Sequence, residues 1–261
     1  MRYKGQTVIV TGASQGIGRE LCLAFAREGA DCVVVGHSNP EMTEQVAEEV
    51  KTYGRRVLPI NADLSCSAGI ATMVQKTIDE FGKIDVLINN AAPSHRGYSS
   101  ILEMTEAEWN RYVGVILNGT FLCSKAVGVE MIKNKAGKII NMTSVLASAT
   151  IPGRVAYCAC KAGVLQLTRA FAVEWGKFNI NVNSLSVGLT MSGQFEVTEK
   201  EKPGLNDAML KRYPIKRLNR LEDVSNAALF LASQEAANIT GQEIIVDSGA
   251  SALLSSWDGN L

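Results

Sequence analysis

The sequence predicts an α/β fold built on a doubly wound parallel sheet of about seven strands, with helices on both faces. Short β-branched runs alternate with longer amphipathic stretches along the whole chain. The short runs are apolar throughout, as expected of parallel strands that are buried on both faces. Because this alternation never breaks, residues 1–261 are predicted to form a single domain.

The first half of the chain contains three strand–helix units. Residues 7–11, 32–35 and 56–60 are short runs in which valine and isoleucine predominate, and these residue types favour strands. Each run is followed by apolar residues at helical spacing, which predicts helices at 16–28, 41–53 and 68–81.

The second half continues the pattern with longer helices. Strands are predicted at 84–89, 138–142, 180–184 and 243–246, and helices within 106–133 and at 155–177 and 221–232. Residues 189–214 lack this pattern and are polar and charged, which is typical of a mobile lid or an insertion. We expect this segment to cover the substrate.

The composition excludes several classes of partner. The chain has 26 basic and 26 acidic residues, so nothing favours nucleic acid or an anionic membrane. It has no signal-peptide pattern and no unbroken apolar run of the roughly 18 residues that a membrane span needs. The cysteines lack paired Cys-x-x-Cys spacing, so no metal site is predicted. We expect a cytoplasmic protein.

Tyr157 and Lys161 lie four residues apart in a predicted helix, and therefore one turn apart on one face. A free tyrosine has a pKa of about 10, and a nearby ammonium favours the phenolate and lowers that pKa. Such a pair can exchange a proton with the oxygen of an alcohol or ketone. Taken alone, the spacing also arises by chance in many solvent-exposed helices.

The first predicted strand leads into Thr11-Gly12-Ala13-Ser14-Gln15-Gly16-Ile17-Gly18, followed by a helix. Glycines allow a tight turn and a close approach to phosphate, and the helix N-terminus supplies N–H groups and a favourable dipole. The position of this turn between strand and helix predicts a dinucleotide site.

These motifs together resemble the classical short-chain dehydrogenase/reductase family over nearly the whole chain, which implies a Rossmann fold. Asn89-Asn90-Ala91-Ala92 resembles the family's Asn-Asn-Ala-Gly, and Ser144 lies at the family's distance from the tyrosine. The resemblance implies that Tyr157 exchanges the proton and Ser144 orients the substrate oxygen. It also implies that Lys161 lowers the pKa of the tyrosine and holds the nicotinamide ribose, and that Asn118 holds a water that relays protons.

The cofactor site is predicted from the glycine turn and from this resemblance. Its residues would be Gly12, Ser14, Gln15, Gly16, Ile17, Gly18, His37, Ser38, Asp63, Leu64, Asn90, Ala91, Ala92, Tyr157, Lys161, Val187, Gly188 and Thr190. The resemblance places Asp63 and Leu64 at the adenine ring, although Asp63 is also a good helix cap.

The sequence departs from the family pattern at three places. The end of the second strand carries His37 and Ser38 instead of the acid that binds a 2′-hydroxyl, so we expect NADP in preference to NAD, with NAD left open. Ala92 replaces a glycine, which is tolerated if its φ is negative. Val187 replaces a proline before Gly188, which we expect to loosen that loop.

The predicted function is an NAD(P)-dependent oxidoreductase that interconverts a secondary alcohol and a ketone. The substrate would be a sugar or polyol, a cyclic alcohol or a 3-oxoacyl derivative, with His95 and Arg96 as candidate clamps for an anion or polyol. The resemblance also implies a homotetramer. The alternatives are a non-catalytic NAD(P)-sensing regulator and an epimerase or dehydratase of the extended relatives.

Overall fold

The computed structural model describes residues 1–93, 100–192, 204, 207, 210–211 and 213–253. It confirms the α/β prediction: the described strands form one parallel sheet of seven, in the order β3-β2-β1-β4-β5-β6-β7. The strands are β1 (Thr7–Thr11), β2 (Asp31–Gly36), β3 (Val57–Asn61), β4 (Val86–Asn89), β5 (Gly137–Ser144), β6 (Ile180–Val187) and β7 (Glu243–Val246).

Helices cover both faces of the sheet. They are α1 (Gly16–Arg27), α2 (Pro40–Lys51), α3 (Ser67–Phe81), α4 (Glu106–Tyr112), α5 (Gly119–Asn134), α6 (Val155–Trp175) and α7 (Leu221–Ala232). Apolar residues of α1, α2 and α7 share one buried cluster with one face of the sheet. Residues of α3, α5 and α6 share a second cluster with the other face. The strand order reverses between β1 and β4, which places a crevice at the carboxyl ends of these two strands.

Two strands run further than their sequence pattern predicts. Strand β5 ends at Ser144 instead of residue 142, and β6 ends at Val187 instead of residue 184. The additional residues are polar or follow polar residues, so they lack the apolar pattern, but they pair in register as Met142↔Leu185, Thr143↔Ser186 and Ser144↔Val187. Ser144 is therefore the last residue of a strand rather than a residue of the following loop. Strand β4, in contrast, begins at Val86 rather than at residue 84.

The predicted long helix within 106–133 is interrupted. Between α4 and α5 lies a π-helical turn, Val113–Asn118. Such turns are rare in proteins, and those that occur often lie at functional sites. The combined run Glu106–Asn134 is also long and apolar enough to cross a membrane, with a mean hydropathy of 1.4 in its best window, 44% of which is buried. A helix packed on a sheet meets the same criteria, so this is weak evidence for a membrane span.

Candidate active site

The glycine turn between β1 and α1 depends on backbone conformations that favour glycine. Gly12 and Gly16 have φ angles of +62° and +56°, in the left-handed region that costs other residues roughly 1–2 kcal/mol. Gln15 precedes α1 in an extended conformation, and its side chain makes no capping hydrogen bond. The first N–H groups of α1 are thus free to bind an anion.

Two of these glycines lie where a side chain would not fit. A Cβ on Gly18 would lie 2.2 Å from the Gly12 carbonyl oxygen, and a Cβ on Gly12 would lie 2.7 Å from the Ala91 Cα. At Gly16, in contrast, no atom lies within 4 Å of the Cβ position. The turn is therefore tightly packed at Gly12 and Gly18 and has open space at Gly16, as a site for a diphosphate requires.

The end of β4 holds the glycine turn in place. The Asn90 side chain donates hydrogen bonds to the carbonyl oxygens of Thr11 and Gly12, both at 3.0 Å. The Thr11 hydroxyl accepts from the backbone N–H groups of Asn90 and Ala91, at 2.9 and 3.1 Å. The Asn-Asn-Ala motif thus acts as a brace for the phosphate turn as well as a wall of the site.

A cleft of about 400 Å³ opens above this turn. Its lining comprises Gly12, Ser14, Gln15, Gly36, His37, Ala62, Asp63, Leu64, Asn90, Ala91, Ala92, Pro93, Arg111 and Val115. Nine of the eighteen predicted cofactor residues are among them. The shape, the positive-φ turn and the free helix N-terminus fit a dinucleotide.

Some predicted residues lie outside the cleft lining, and some lining residues were missed. Ile17 packs into the core, and Ser38 is exposed. Sequence reasoning missed Gly36, Ala62, Arg111 and Val115. Arg111 lies on α4 and Val115 on the π turn that follows it; their spacing of four residues within the helix predicted over 106–133 is a signal that could have indicated a shared face.

His37 and Asp63 both line this cleft. The Asp63 carboxylate accepts hydrogen bonds from the backbone N–H and hydroxyl of Ser65, at 2.9 and 2.7 Å. These bonds, and to a smaller extent the charge of His37, lower the pKa of Asp63. Asp63 therefore orders the turn ahead of α3 and borders the cleft, but it does not cap this helix, whose N-cap residue is Cys66.

Ser144 and Tyr157 are brought together by β5 and α6. The Ser144 hydroxyl accepts from the N–H of Leu146 at 3.2 Å and hydrogen-bonds with the Tyr157 phenol. Burial raises the pKa of Tyr157, and this serine opposes the rise. The structure thus forms the predicted pair of hydroxyls, one buried at a strand end and one on the facing helix.

Lys161 is buried beside them, with 4% of its surface exposed. Its ammonium donates to the Met142 carbonyl oxygen at 2.6 Å and lies 5.6 Å from the centre of the Tyr157 ring. Burial lowers the pKa of Lys161 to about 8. The sequence predicted that Lys161 lowers the pKa of Tyr157, but without cofactor the pKa of Tyr157 is raised. Burial disfavours both the phenolate of Tyr157 and the ammonium of Lys161.

Asn118 does not join this group. It lies at the end of the π turn and is exposed, whereas Ile116 is buried and packs with Ala156, Cys160 and Val164 of α6. Residues two apart on a helical turn point in nearly opposite directions, so only one of them can face α6. The expectation that Asn118 relays protons from Lys161 is therefore not supported by its placement, and Ile116 occupies the facing position.

The segment after β6 corrects a second expectation. Val187 does not loosen the chain: it extends β6, pairing with Ser144 on one side and Val246 on the other. A proline could not donate a ladder hydrogen bond, whereas valine continues the strand. The Gly188 N–H then donates to the Val246 carbonyl at 2.9 Å, and the Thr190 hydroxyl donates back to the Gly188 carbonyl at 3.1 Å.

Ala92 behaves as expected, since its φ is not positive. The candidate substrate clamps, His95 and Arg96, lie outside the described residues, as does most of the predicted lid at 189–214. Met191, at the start of that segment, is 40% exposed.

A buried polar network under the site was not predicted. The Asn89 side-chain amide donates to the hydroxyl of Ser124 of α5 at 2.9 Å and to the side-chain Oδ1 of Asn141 at 2.8 Å. The Asn141 amide donates to Thr168 of α6 at 2.9 Å. These residues tie β4 and β5 to α5 and to α6, which carries Tyr157 and Lys161, and they are far apart in sequence.

Comparison with known proteins adds to this geometry. The family model described as enoyl-(acyl carrier protein) reductase matches residues 12–251. A (2S)-[(R)-hydroxy(phenyl)methyl]succinyl-CoA dehydrogenase subunit, BbsD from Thauera aromatica, is 36% identical over 252 residues, covering 96% of this chain and 98% of the relative.

A second relative is the 3-oxoacyl-[acyl-carrier-protein] reductase FabG from Staphylococcus epidermidis, 35% identical over 94% of this chain and 98% of the relative. Among solved structures, a 7α-hydroxysteroid dehydrogenase complexed with NADH and 7-oxo glycochenodeoxycholic acid superposes with a TM-score of 0.89. It is 31% identical and covers 95% of each chain.

Proposed function

The chain belongs to the classical short-chain dehydrogenase/reductase family, whose members are NAD(P)-dependent enzymes acting on CH–OH groups, and we propose that it interconverts a secondary alcohol and a ketone with Tyr157 as the proton donor and acceptor. The observation that carries the proposal is the contact between the Ser144 and Tyr157 hydroxyls beside the buried ammonium of Lys161. A regulator that only senses the cofactor would have no use for this arrangement.

Each residue has a defined task in this proposal. The Ser144 hydroxyl, fixed by the Leu146 N–H, binds and orients the substrate oxygen. The Tyr157 phenol gives that oxygen a proton during reduction and takes it back during oxidation. When bound, the nicotinamide supplies the hydride chemistry. Lys161, held by the Met142 carbonyl, favours the phenolate whenever it is charged.

The cofactor is held by the glycine turn, by the wall formed by Asn90–Ala92, and by residues 37 and 63–64. We propose a preference for NADP, because no carboxylate follows β2 to repel a 2′-phosphate and His37 borders the cleft there. The NADH in the similar hydroxysteroid dehydrogenase keeps NAD as the alternative.

The substrate proposed is a ketone or secondary alcohol of the sugar, polyol, cyclic alcohol or 3-oxoacyl type. The relatives' names include a substituted succinyl-CoA dehydrogenase, a 3-oxoacyl reductase and a hydroxysteroid dehydrogenase, which span acyl thioesters and cyclic alcohols. All of these substrates present the same reacting group to a tyrosine and a serine.

The test follows the absorbance of reduced cofactor while a panel of ketones and alcohols from these classes is offered with NADPH and NADH. Turnover of at least one ketone, lost in Tyr157→Phe, would support the proposal. Cofactor binding without turnover of any member would favour a sensor. Conversion of substrate without net change in cofactor absorbance would favour an epimerase or dehydratase.

A homotetramer in the cytoplasm completes the proposal. Phe121 and Val129 of α5 and Val173 of α6 are 40%, 50% and 84% exposed, an apolar set on the two helices that the family resemblance places at an interface. Light scattering should give four times the chain mass, and Phe121→Glu should reduce it. A monomer at micromolar concentration would contradict this assembly.

A further inference from the structure

Two buried hydroxyls near the site have no hydrogen-bond partner among the described residues. They are Thr143 Oγ1, on a residue 4% exposed, and Ser186 Oγ, on a residue 0% exposed. Buried polar groups are almost always hydrogen-bonded, and leaving one unpaired costs about 1–3 kcal/mol. Two such groups therefore indicate a missing partner that can satisfy both.

The two hydroxyls are neighbours. Thr143 of β5 and Ser186 of β6 are register partners, and adjacent strands lie about 4.8 Å apart. Side chains alternate along a strand, so Thr143 shares its face with Asn141, whose amide reaches Thr168 on α6. Ser186 shares its face with Val182, in the cluster covered by α5 and α6. Both hydroxyls thus lie between the sheet and α6.

The ammonium of Lys161 reaches the same part of β5 from α6. Helix α6 runs antiparallel to β5 in this crossover, and Thr168 lies opposite Asn141. The path along α6 from Thr168 to Lys161 therefore runs in the same direction as the path along β5 from Asn141 to Thr143. The distances are roughly 10 Å along the helix and 6.6 Å along the strand. The ammonium contacts the carbonyl of Met142, the residue directly before Thr143.

We propose that Thr143 and Ser186 hold a buried water beneath Lys161, and that this water accepts a hydrogen bond from the lysine ammonium and fixes its position. A buried water needs about two to four polar partners, and the two hydroxyls and the ammonium supply three. The ammonium has three donors, of which the Met142 carbonyl takes one. Thr143 and Ser186 act through Lys161, so they are positioning residues.

This inference rests on the proposed function for its catalytic meaning, but it can be tested without turnover. A water that accepts from the ammonium stabilises the charged form and so raises the lysine pKa. Other titratable groups that act here are Cys160 on α6 and Tyr157, which is in turn influenced by Cys158, Arg154 and Tyr112. No described carboxylate forms an ion pair with Lys161.

The experiment titrates the Lys161 ammonium by NMR in cofactor-free protein with ¹³C-labelled lysine, the signal being assigned with Lys161→Arg. Thr143→Val and Ser186→Ala should each lower this pKa by roughly half a unit to one unit, the size of one hydrogen bond. Thr143→Ser, which keeps the hydroxyl, should titrate as the parent. Ser184→Ala is the matched control, because Ser184 is buried two residues away and already donates to Gln242.

Equal titration of Ser186→Ala, Ser184→Ala and the parent would overturn the proposal. So would a high-resolution crystal structure in which the two hydroxyls bond each other with no water between them. If Thr143→Val does not fold, Ser186→Ala and Thr143→Ser still decide the question. Full activity of Tyr157→Phe would instead overturn the proposed function and leave the NMR result standing.

Discussion

The two halves of the site are built by opposite means. The half formed by β1, β2 and the glycine turn depends on side chains that are missing: a Cβ at Gly18 would lie 2.2 Å from the Gly12 carbonyl. The half formed by β5 and α6 depends on side chains that are present, with Ser144, Tyr157 and Lys161 in fixed contacts. Binding of a phosphate group needs backbone and space, whereas proton transfer needs functional groups with tuned pKa values.

This difference predicts that the halves fail separately. The largest effect should come from Tyr157→Phe, which removes only the phenol oxygen. Turnover should fall by about 10³-fold or more, since a positioned proton donor contributes roughly 10²–10⁴-fold. The affinity for reduced cofactor, measured by fluorescence, should change little. Near-normal turnover would sink the assignment of Tyr157.

Gly18→Ala should do the reverse. Its methyl would press on the Gly12 carbonyl and lie 2.9 Å from the Ala13 Cα, so the phosphate turn must shift. We expect the free energy of unfolding to fall by about 1–3 kcal/mol and cofactor affinity to fall at least about tenfold. Urea denaturation and cofactor titration measure these two effects. An unchanged cofactor affinity would show that the turn tolerates a side chain.

Gly16→Ala separates backbone strain from the need for open space. Gly16 and Gly54 have φ angles of +56° and +68°, and neither has an atom within 4 Å of its Cβ position. Both alanine variants should lose about 1–2 kcal/mol of stability. Only Gly16→Ala should also weaken cofactor binding, because Gly16 begins α1 next to Gln15 of the cleft lining, whereas Gly54 lies in the turn after α2. Equal cofactor affinities in the two variants would remove this assignment.

The smallest effect concerns the choice between NADP and NAD. His37→Ala should lower kcat/KM with NADP by about three- to tenfold, roughly the value of one ordinary hydrogen bond, and leave NAD nearly unchanged. Comparison of the two cofactors in the parent protein is the control. A much higher kcat/KM with NAD than with NADP in the parent would overturn the preference.

Sequence reasoning predicted the two halves unequally. All seven strands were recognised, because buried parallel strands are uniformly apolar. The ends of β5 and β6 were missed because Thr143, Ser144 and Ser186 are polar, and only register with a neighbouring strand makes them strand residues. Asn118 was expected near Lys161, but it is exposed at the end of the π turn, whereas Ile116, two residues earlier, packs on α6.

The π turn at Val113–Asn118 also determines the angle between the surface of the helix that faces α6 and the outward-facing surface of α5. Before and within it, Tyr112 and Ile116 face α6 and the reacting hydroxyls, while beyond it Phe121 and Val129 face outward. A π turn is one residue longer than an α turn, so removing one residue there would rotate the rest of α5 by about 100° relative to α4. The extra residue of the π turn therefore sets the angle between two surfaces of this long helical segment. One surface faces α6 and the reacting hydroxyls, and the other is the outward-facing apolar surface of α5.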